Sequence, residues 1–141
     1  MIIGLGHAAV RTKDIEASVK FYTNIMGFKE AFRVHNQETG NLNLVYLYIA
    51  PGQFIELFPN GSGEQSENGN IGIKHICIEV DDIKKARDEL AARGAPIDVD
   101  IKTGQSKCIQ FWTHDPDGTK IELMELPPES LHAQANKRFQ S

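Results

Sequence analysis

The chain has little of several features that would assign it to a specialised class. Of its 141 residues only Cys77 and Cys108 are cysteines, and they form no CxxC motif. Secreted disulfide scaffolds need more cysteines than this, so we expect two buried thiols within strands. No apolar run approaches the roughly 20 residues that a membrane helix requires, and the first residues lack a signal-peptide pattern. We therefore expect a cytoplasmic protein without a membrane partner.

Positive charge is also limited. Lysine and arginine number 15 against 19 acidic residues, which gives a formal net charge of −4. The absence of a basic block or an aromatic and basic run argues against nucleic acid as the main partner. The hydrophobic content of 40% is enough for the core of a compact domain. A small molecule is the expected partner.

One pattern occurs twice along the chain. His7 is followed about fifty residues later by Glu56, and His75 is followed at a similar distance by Glu122. Behind each histidine, at the same offset, comes an aspartate that can cap a helix, and a glycine that can end it follows in each half. These residues are Asp14 and Gly27 in the first half and Asp82 and Gly94 in the second. The repeat indicates two similar halves.

Hydrophobic periodicity predicts the same element order in both halves, a strand, a helix and three more strands. In the first half we predict strands at 2–11, 28–35, 42–50 and 53–59 and a helix at 15–26. In the second half we predict strands at 74–80, 96–101, 107–113 and 119–125 and a helix at 83–93. The polar, glycine-rich stretch 61–72 is the predicted linker between module one, 1–60, and module two, 73–126. The tail 127–141 is predicted to hold a helix near 129–138.

Strand alternation places the four repeated residues on the sheet face opposite the most aliphatic one. Phe54, Glu56 and Phe58 share one face of their strand, opposite aliphatic residues, and the same parity holds for Glu122. Two imidazoles and two carboxylates suit a single divalent ion such as Ni, Co, Mn, Fe or Zn. We therefore predict one metal bound by His7, Glu56, His75 and Glu122. Arg11 and Asn60 follow their nearest ligand by four residues, and each is either a substrate contact or a solvated rim residue.

These motifs resemble the vicinal oxygen chelate superfamily over residues 3–126. The segments that carry the resemblance are HAAVRTKDIEASVKFYTNIMGF, GQFIELFPN, IKHICIEVDDI and HDPDGTKIELME. The resemblance implies an α+β fold in which two βαβββ modules form one domain, an open, barrel-like cup around one metal. This is the glyoxalase, bleomycin-resistance and dihydroxybiphenyl dioxygenase fold.

Within the superfamily the pattern is most similar to glyoxalase I, or lactoylglutathione lyase. That similarity implies that Glu56 and Glu122 are both metal ligands and catalytic groups. They would move a proton within the hemithioacetal of a 2-oxoaldehyde and a thiol, through an enediolate. It also implies that Arg11 and Asn60 bind the substrate and that glutathione is the thiol. The segment 102–107 differs from the usual glutathione-binding stretch, and the tail is longer than in compact bacterial enzymes.

Other functions of the superfamily stay open at this point. Epimerase, thiol transferase and dioxygenase chemistry use the same cup, and a drug-sequestering protein would use it without metal. Glu56 favours the glyoxalase type, because the resemblance to the epimerases would place glutamine there. Modules in this superfamily often pair across chains, so a homodimer is expected.

Overall fold

The computed structural model describes residues 1–65 and 69–140. The chain divides into two compact units, Met1–Gln65 and Ser66–Ser141. Three residues of the predicted linker, 66–68, and the last residue of the tail lie outside the described part. No helix in the described ranges is long and apolar enough to cross a bilayer.

The first unit is a βαβββ module. Its elements are β1 (His7–Arg11), α1 (Ile15–Lys20) continued by a π-helical segment (Phe21–Ile25), β2 (Lys29–His35), β3 (Leu42–Ala50) and β4 (Gln53–Phe58). The strand order is β1-β4-β3-β2, with β1 parallel to β4 and the other pairs antiparallel. Because β1 and β4 are neighbours, a residue at the start of the module lies beside one near its end.

The second unit repeats this topology. It contains β5 (Ile76–Glu79), α2 (Ile83–Ala92), β6 (Val99–Thr103), β7 (Ile109–His114) and β8 (Lys120–Glu125), followed by α3 (Leu131–Phe139). The strand order is β5-β8-β7-β6, and β5 is parallel to β8. The predicted α+β class and the two βαβββ modules are thus confirmed.

The helix signals of the repeat act as predicted. Asp14 accepts a hydrogen bond from the backbone N–H of Ala17 at 3.1 Å, and Asp82 accepts one from Lys85 at 2.9 Å. Gly27 and Gly94 have φ of 80° and 97°, values in the left-handed region that side chains other than glycine's rarely adopt. Each helix therefore begins and ends at the residues the sequence indicated.

One face of each sheet is buried in the module's own core. In the first module Ile55 and Leu57 of β4 are at most 2% exposed, and the fully buried Val45 and Leu47 lie beside them on β3. The second module buries Phe111, Ile121 and Leu123 in the same way. The residues that alternate with these, including both glutamates of the repeat, therefore point to the opposite face.

The first strand of each module is shorter than predicted. The prediction of a strand from residue 2 is wrong, because β1 begins at His7, and His75 lies just before β5 instead of inside it. The residues upstream carry apolar side chains that are 85% to 105% exposed, namely Ile3, Leu5, Ile71 and Ile73. Apolar alternation at residues 2–6 thus suggested a strand where the chain makes no ladder.

Candidate metal centre

The first module brings His7 and Glu56 together. His7 is the first residue of β1, and its neighbour across the ladder is Phe54 of β4, two residues before the glutamate. The His7 Nε2 and Glu56 Oε2 atoms are 2.8 Å apart. Glu56 is 8% exposed, flanked on its face by the half-buried Phe54 and Phe58. A carboxylate with so little solvent needs a partner, and the imidazole is one.

The second module brings His75 and Glu122 together in the same way. The His75 Nε2 and Glu122 Oε2 atoms are 3.0 Å apart, and both side chains are mostly buried. The other ring nitrogen of His75, Nδ1, is buried and has no hydrogen-bond partner among the described residues. The two halves of the repeat therefore each form one imidazole and carboxylate pair with the same atoms facing each other.

An aromatic residue completes each pair, and sequence reasoning missed both. Tyr46 pairs with Glu56 across β3 and β4, and its ring meets that of His7 edge-on at 5.7 Å between centroids. Trp112 pairs with Glu122 across β7 and β8, and its ring meets that of His75 edge-on at 4.8 Å. Each aromatic residue precedes its glutamate by ten residues. This shared offset within the repeat was the signal that could have revealed them.

Tyr46 differs from Trp112 in carrying a hydroxyl. Burial, followed by the neighbouring Glu56 carboxylate, raises the pKa of that hydroxyl. At neutral pH the phenol is therefore protonated and can act as a donor. Glu56 thus has two polar neighbours, the imidazole of His7 and the phenol of Tyr46.

The donor set and its spacing fit half a divalent metal site in each module. Two ligand atoms about 2.1 Å from a metal and at right angles to each other lie about 3.0 Å apart. The two observed separations, 2.8 Å and 3.0 Å, match that value. Within residues 1–65 and 69–140, no group of three or more His, Cys, Asp or Glu side chains is placed to hold a metal ion. Each pair alone thus offers two potential ligand atoms.

Cys77 corrects one prediction from the sequence. It lies in β5 opposite Glu122, but the residue is exposed and not buried, whereas Cys108 is buried just before β7. The Cys77 thiol lies 3.9 Å from the sulfur of Met124. Desolvation and then the Glu122 charge raise the pKa of Cys77 to about 12, so the thiol is protonated at neutral pH.

Arg11 and Asn60 lie at the other end of the β1 and β4 ladder. The Arg11 guanidinium donates to the backbone carbonyl of Pro59 at 3.0 Å and lies over the ring of Phe58. Asn60 is exposed and has a φ of 64°. The structure thus holds Arg11 in place beside the strand that carries Glu56, with further N–H donors on its guanidinium.

The remaining histidines are separate from the two pairs. His35 and His132 are exposed, as expected of histidines outside the repeat. The sequence suggests the same for His114, which follows a predicted strand, but His114 is half-buried and its Nδ1 lies 2.8 Å from a carboxylate oxygen of Asp98. This third pair has no counterpart in the first module, where Tyr48 occupies the matching position.

The family model of the Glyoxalase/Bleomycin resistance protein/Dioxygenase superfamily matches residues 4–123. The chain belongs to this superfamily. It is 32% identical to a lactoylglutathione lyase of Salmonella typhimurium, over 84% of this chain and 90% of that protein. It is also 32% identical to the lactoylglutathione lyase of Schizosaccharomyces pombe, but spans only 46% of that protein's length.

Solved structures agree on the fold. A glyoxalase family protein from Enterococcus faecalis superposes with a TM-score of 0.75 at 22% identity, covering 86% of this chain and 97% of that one. At this level of identity the likeness concerns the fold and carries no statement about substrate. The superfamily predicted from the sequence is thus confirmed.

Proposed function

We propose that the two pairs, His7 with Glu56 and His75 with Glu122, bind one divalent metal ion and form the active site of a glyoxalase I-type lyase. The observation that carries this proposal is their equivalence. The same atoms face each other at 2.8 Å and 3.0 Å, in corresponding positions of two repeated modules. One metal per chain would be shared by the pairs, and Ni, Co, Mn, Fe and Zn all accept such ligands.

The reaction would isomerise the hemithioacetal of a 2-oxoaldehyde and a thiol. A proton leaves C1 for a glutamate carboxylate and returns to C2, through an enediolate. The hydroxyl oxygen on C1 loses its proton, and the oxygen on C2 gains one. C1 therefore becomes the thioester carbonyl and C2 the alcohol carbon. No oxidant or reductant is needed. The metal, when bound, supplies a Lewis acid that stabilises negative charge on the substrate oxygens.

The protein's own residues would supply the proton transfer and the positioning. Glu56 is 8% exposed and lies 2.8 Å from His7 Nε2, so its carboxylate is placed to receive a proton from a substrate bound beside that imidazole. Tyr46 and His7 fix its orientation, as His75 does for Glu122. Either glutamate can serve as the base, since each is itself a proposed ligand and lies beside a proposed histidine ligand.

Arg11 and Asn60 are the proposed contacts of the thiol. The Arg11 guanidinium donates to the Pro59 carbonyl beside β4, the strand that carries Glu56. Its other N–H groups can bind an anionic group. Glutathione carries two carboxylates, so it is the first thiol to test.

The experiment combines metal binding with turnover. Purified protein is stripped of metal, titrated with Ni(II), Co(II) or Mn(II), and assayed for thioester absorbance with methylglyoxal and glutathione. We expect about one metal per chain, and a rate lowered ~10²-fold or more by Glu56→Gln or Glu122→Gln. Asp98→Asn, which alters the third histidine and carboxylate pair, is the matched control and should leave the rate unchanged.

Two results would contradict the proposal. Thioester formation that is absent with every metal and thiol would exclude the activity. Metal binding that survives the combined loss of His7 and His75 to alanine would exclude the proposed ligands. The second result is independent of any substrate.

A further inference from the structure

The face of the first module that carries His7 and Glu56 is strongly aromatic. Four rings adjoin one another there, and we refer to them as the aromatic face: Phe32, Tyr46, Tyr48 and Phe54. Tyr46 stacks on Phe32 at 4.5 Å between centroids, and Phe54 meets both tyrosines edge-on at 6.1 Å and 5.7 Å. Phe32 is 49% exposed. A large apolar side chain left this open beside polar functional residues commonly marks a ligand-binding surface.

The second module has Trp112 at the place of Tyr46 but has no phenylalanine, tyrosine or tryptophan at the other three matching places. Where Phe54 pairs with Tyr48, Lys120 pairs with His114, and where Phe32 pairs with Tyr46, Val99 pairs with Trp112. The imidazole and carboxylate pair is repeated in the second module, but most of the aromatic rings around it are not. An aromatic face is therefore not needed to hold an imidazole beside a carboxylate.

Tyr46 connects the aromatic face to the chemistry. Its hydroxyl reaches Glu56, its ring edge meets His7, and its ring plane stacks on Phe32. A group attached to the reacting carbons of a substrate beside Glu56 would meet these rings first. A flat ring in that position gains offset-stacked or edge-on contacts that a methyl group does not.

We propose that the aromatic face receives the substituent of the 2-oxoaldehyde and that this substituent is an aryl group, so that arylglyoxal hemithioacetals are the preferred substrates. This inference rests on the proposed function, because it assigns the substrate class of that same site. It also makes Phe32 a specificity-determining residue, since Phe32 is the most exposed ring of the four.

The test compares phenylglyoxal with methylglyoxal, each with the same thiol and metal. We expect kcat/KM to be roughly tenfold higher for the phenyl substrate. Phe32→Ala should lower kcat/KM for phenylglyoxal about tenfold more than for methylglyoxal. Val99→Ala, the matching change in the second module, should leave the ratio unaltered. A ratio near one in the unmodified protein, or an equal loss for both substrates in Phe32→Ala, would overturn the inference.

A binding measurement separates this inference from the proposed function. Mandelohydroxamate and lactohydroxamate both chelate metals and differ only in a phenyl and a methyl group. Calorimetry on the metal-loaded protein should give roughly tenfold tighter binding of the phenyl compound, reduced by Phe32→Ala. If neither oxoaldehyde is turned over, the proposed lyase function is wrong. The difference in Kd still tests whether the aromatic face prefers a phenyl to a methyl group. Equal Kd values would overturn the inference.

Discussion

Replacing Tyr46 by phenylalanine removes one oxygen atom and tests whether the phenol positions Glu56. Tyr46 is the cross-strand neighbour of Glu56, whose other polar neighbour is His7 Nε2 at 2.8 Å. If the phenol donates to Glu56 during catalysis, its loss, with the ring and its stacking on Phe32 retained, should lower kcat about tenfold. KM should change less, because the ring surface that a substrate would contact is kept.

Trp112→Phe is the matched control for this variant. Trp112 occupies the corresponding position beside His75 and Glu122, but it has no hydroxyl to lose. Metal affinity, measured by titration, and kcat, measured from thioester formation, are compared for both variants. A kcat of Tyr46→Phe within twofold of the unmodified protein would refute the reasoning. So would a loss in Trp112→Phe as large as that in Tyr46→Phe.

Two further predictions concern stability and association. Arg33 donates to Glu30 at 2.6 Å and to Glu16 on α1 at 3.1 Å, and its hydrogen bonds lower the pKa of both carboxyls below the ordinary value of 4.5. Carboxyls with a lowered folded-state pKa stabilise the protein above pH 4.5. Arg33→Gln should therefore lower the free energy of unfolding by about 0.5 kcal/mol per pair at neutral pH, and the loss should vanish as the pH falls through the folded values. Urea unfolding at neutral pH and at a pH below the lowered pKa values of the two carboxyls measures this loss, with Lys29→Gln as the control. A loss of the same size at the acidic pH would contradict the prediction. We also predict a homodimer joined through the exposed apolar residues that precede β1 and β5, since each of these strands is a sheet edge. Leu5→Glu with Ile73→Glu should yield monomers in sedimentation velocity, Phe139→Glu should not, and an unmodified protein that sediments as a monomer would refute it.

The sequence predicted the repeat and the order of elements because those depend on short-range signals. Asp82 caps α2 and Gly94 ends it, and both features follow from local backbone chemistry that a single residue type reveals. The burial of Leu57 followed from alternation along β4. Such signals lie within a few residues of the structure they determine.

The parts that the sequence did not predict depend on contacts between distant segments. Ile3 and Leu5 look like strand residues, but a strand exists only where a neighbour completes its ladder, and these residues have none among the described ranges. The exposure of Cys77 and the pairing of His114 with Asp98 likewise depend on which strands adjoin. Tyr46 of β3 lies near His7 only because β1 pairs with the other side of β4, at the edge of the sheet.

The two modules share what a metal ion would require and differ in what a substrate would contact. A metal ion would need the same ligands from both halves, one imidazole and one carboxylate about 3 Å apart. Both halves have such a pair. A substrate molecule has no such symmetry, so residues that touch it have no reason to match between the halves. Phe54 against Lys120 and Tyr48 against His114 are mismatches of this kind. The positions where the repeat fails therefore mark the surface on which substrate specificity is to be sought.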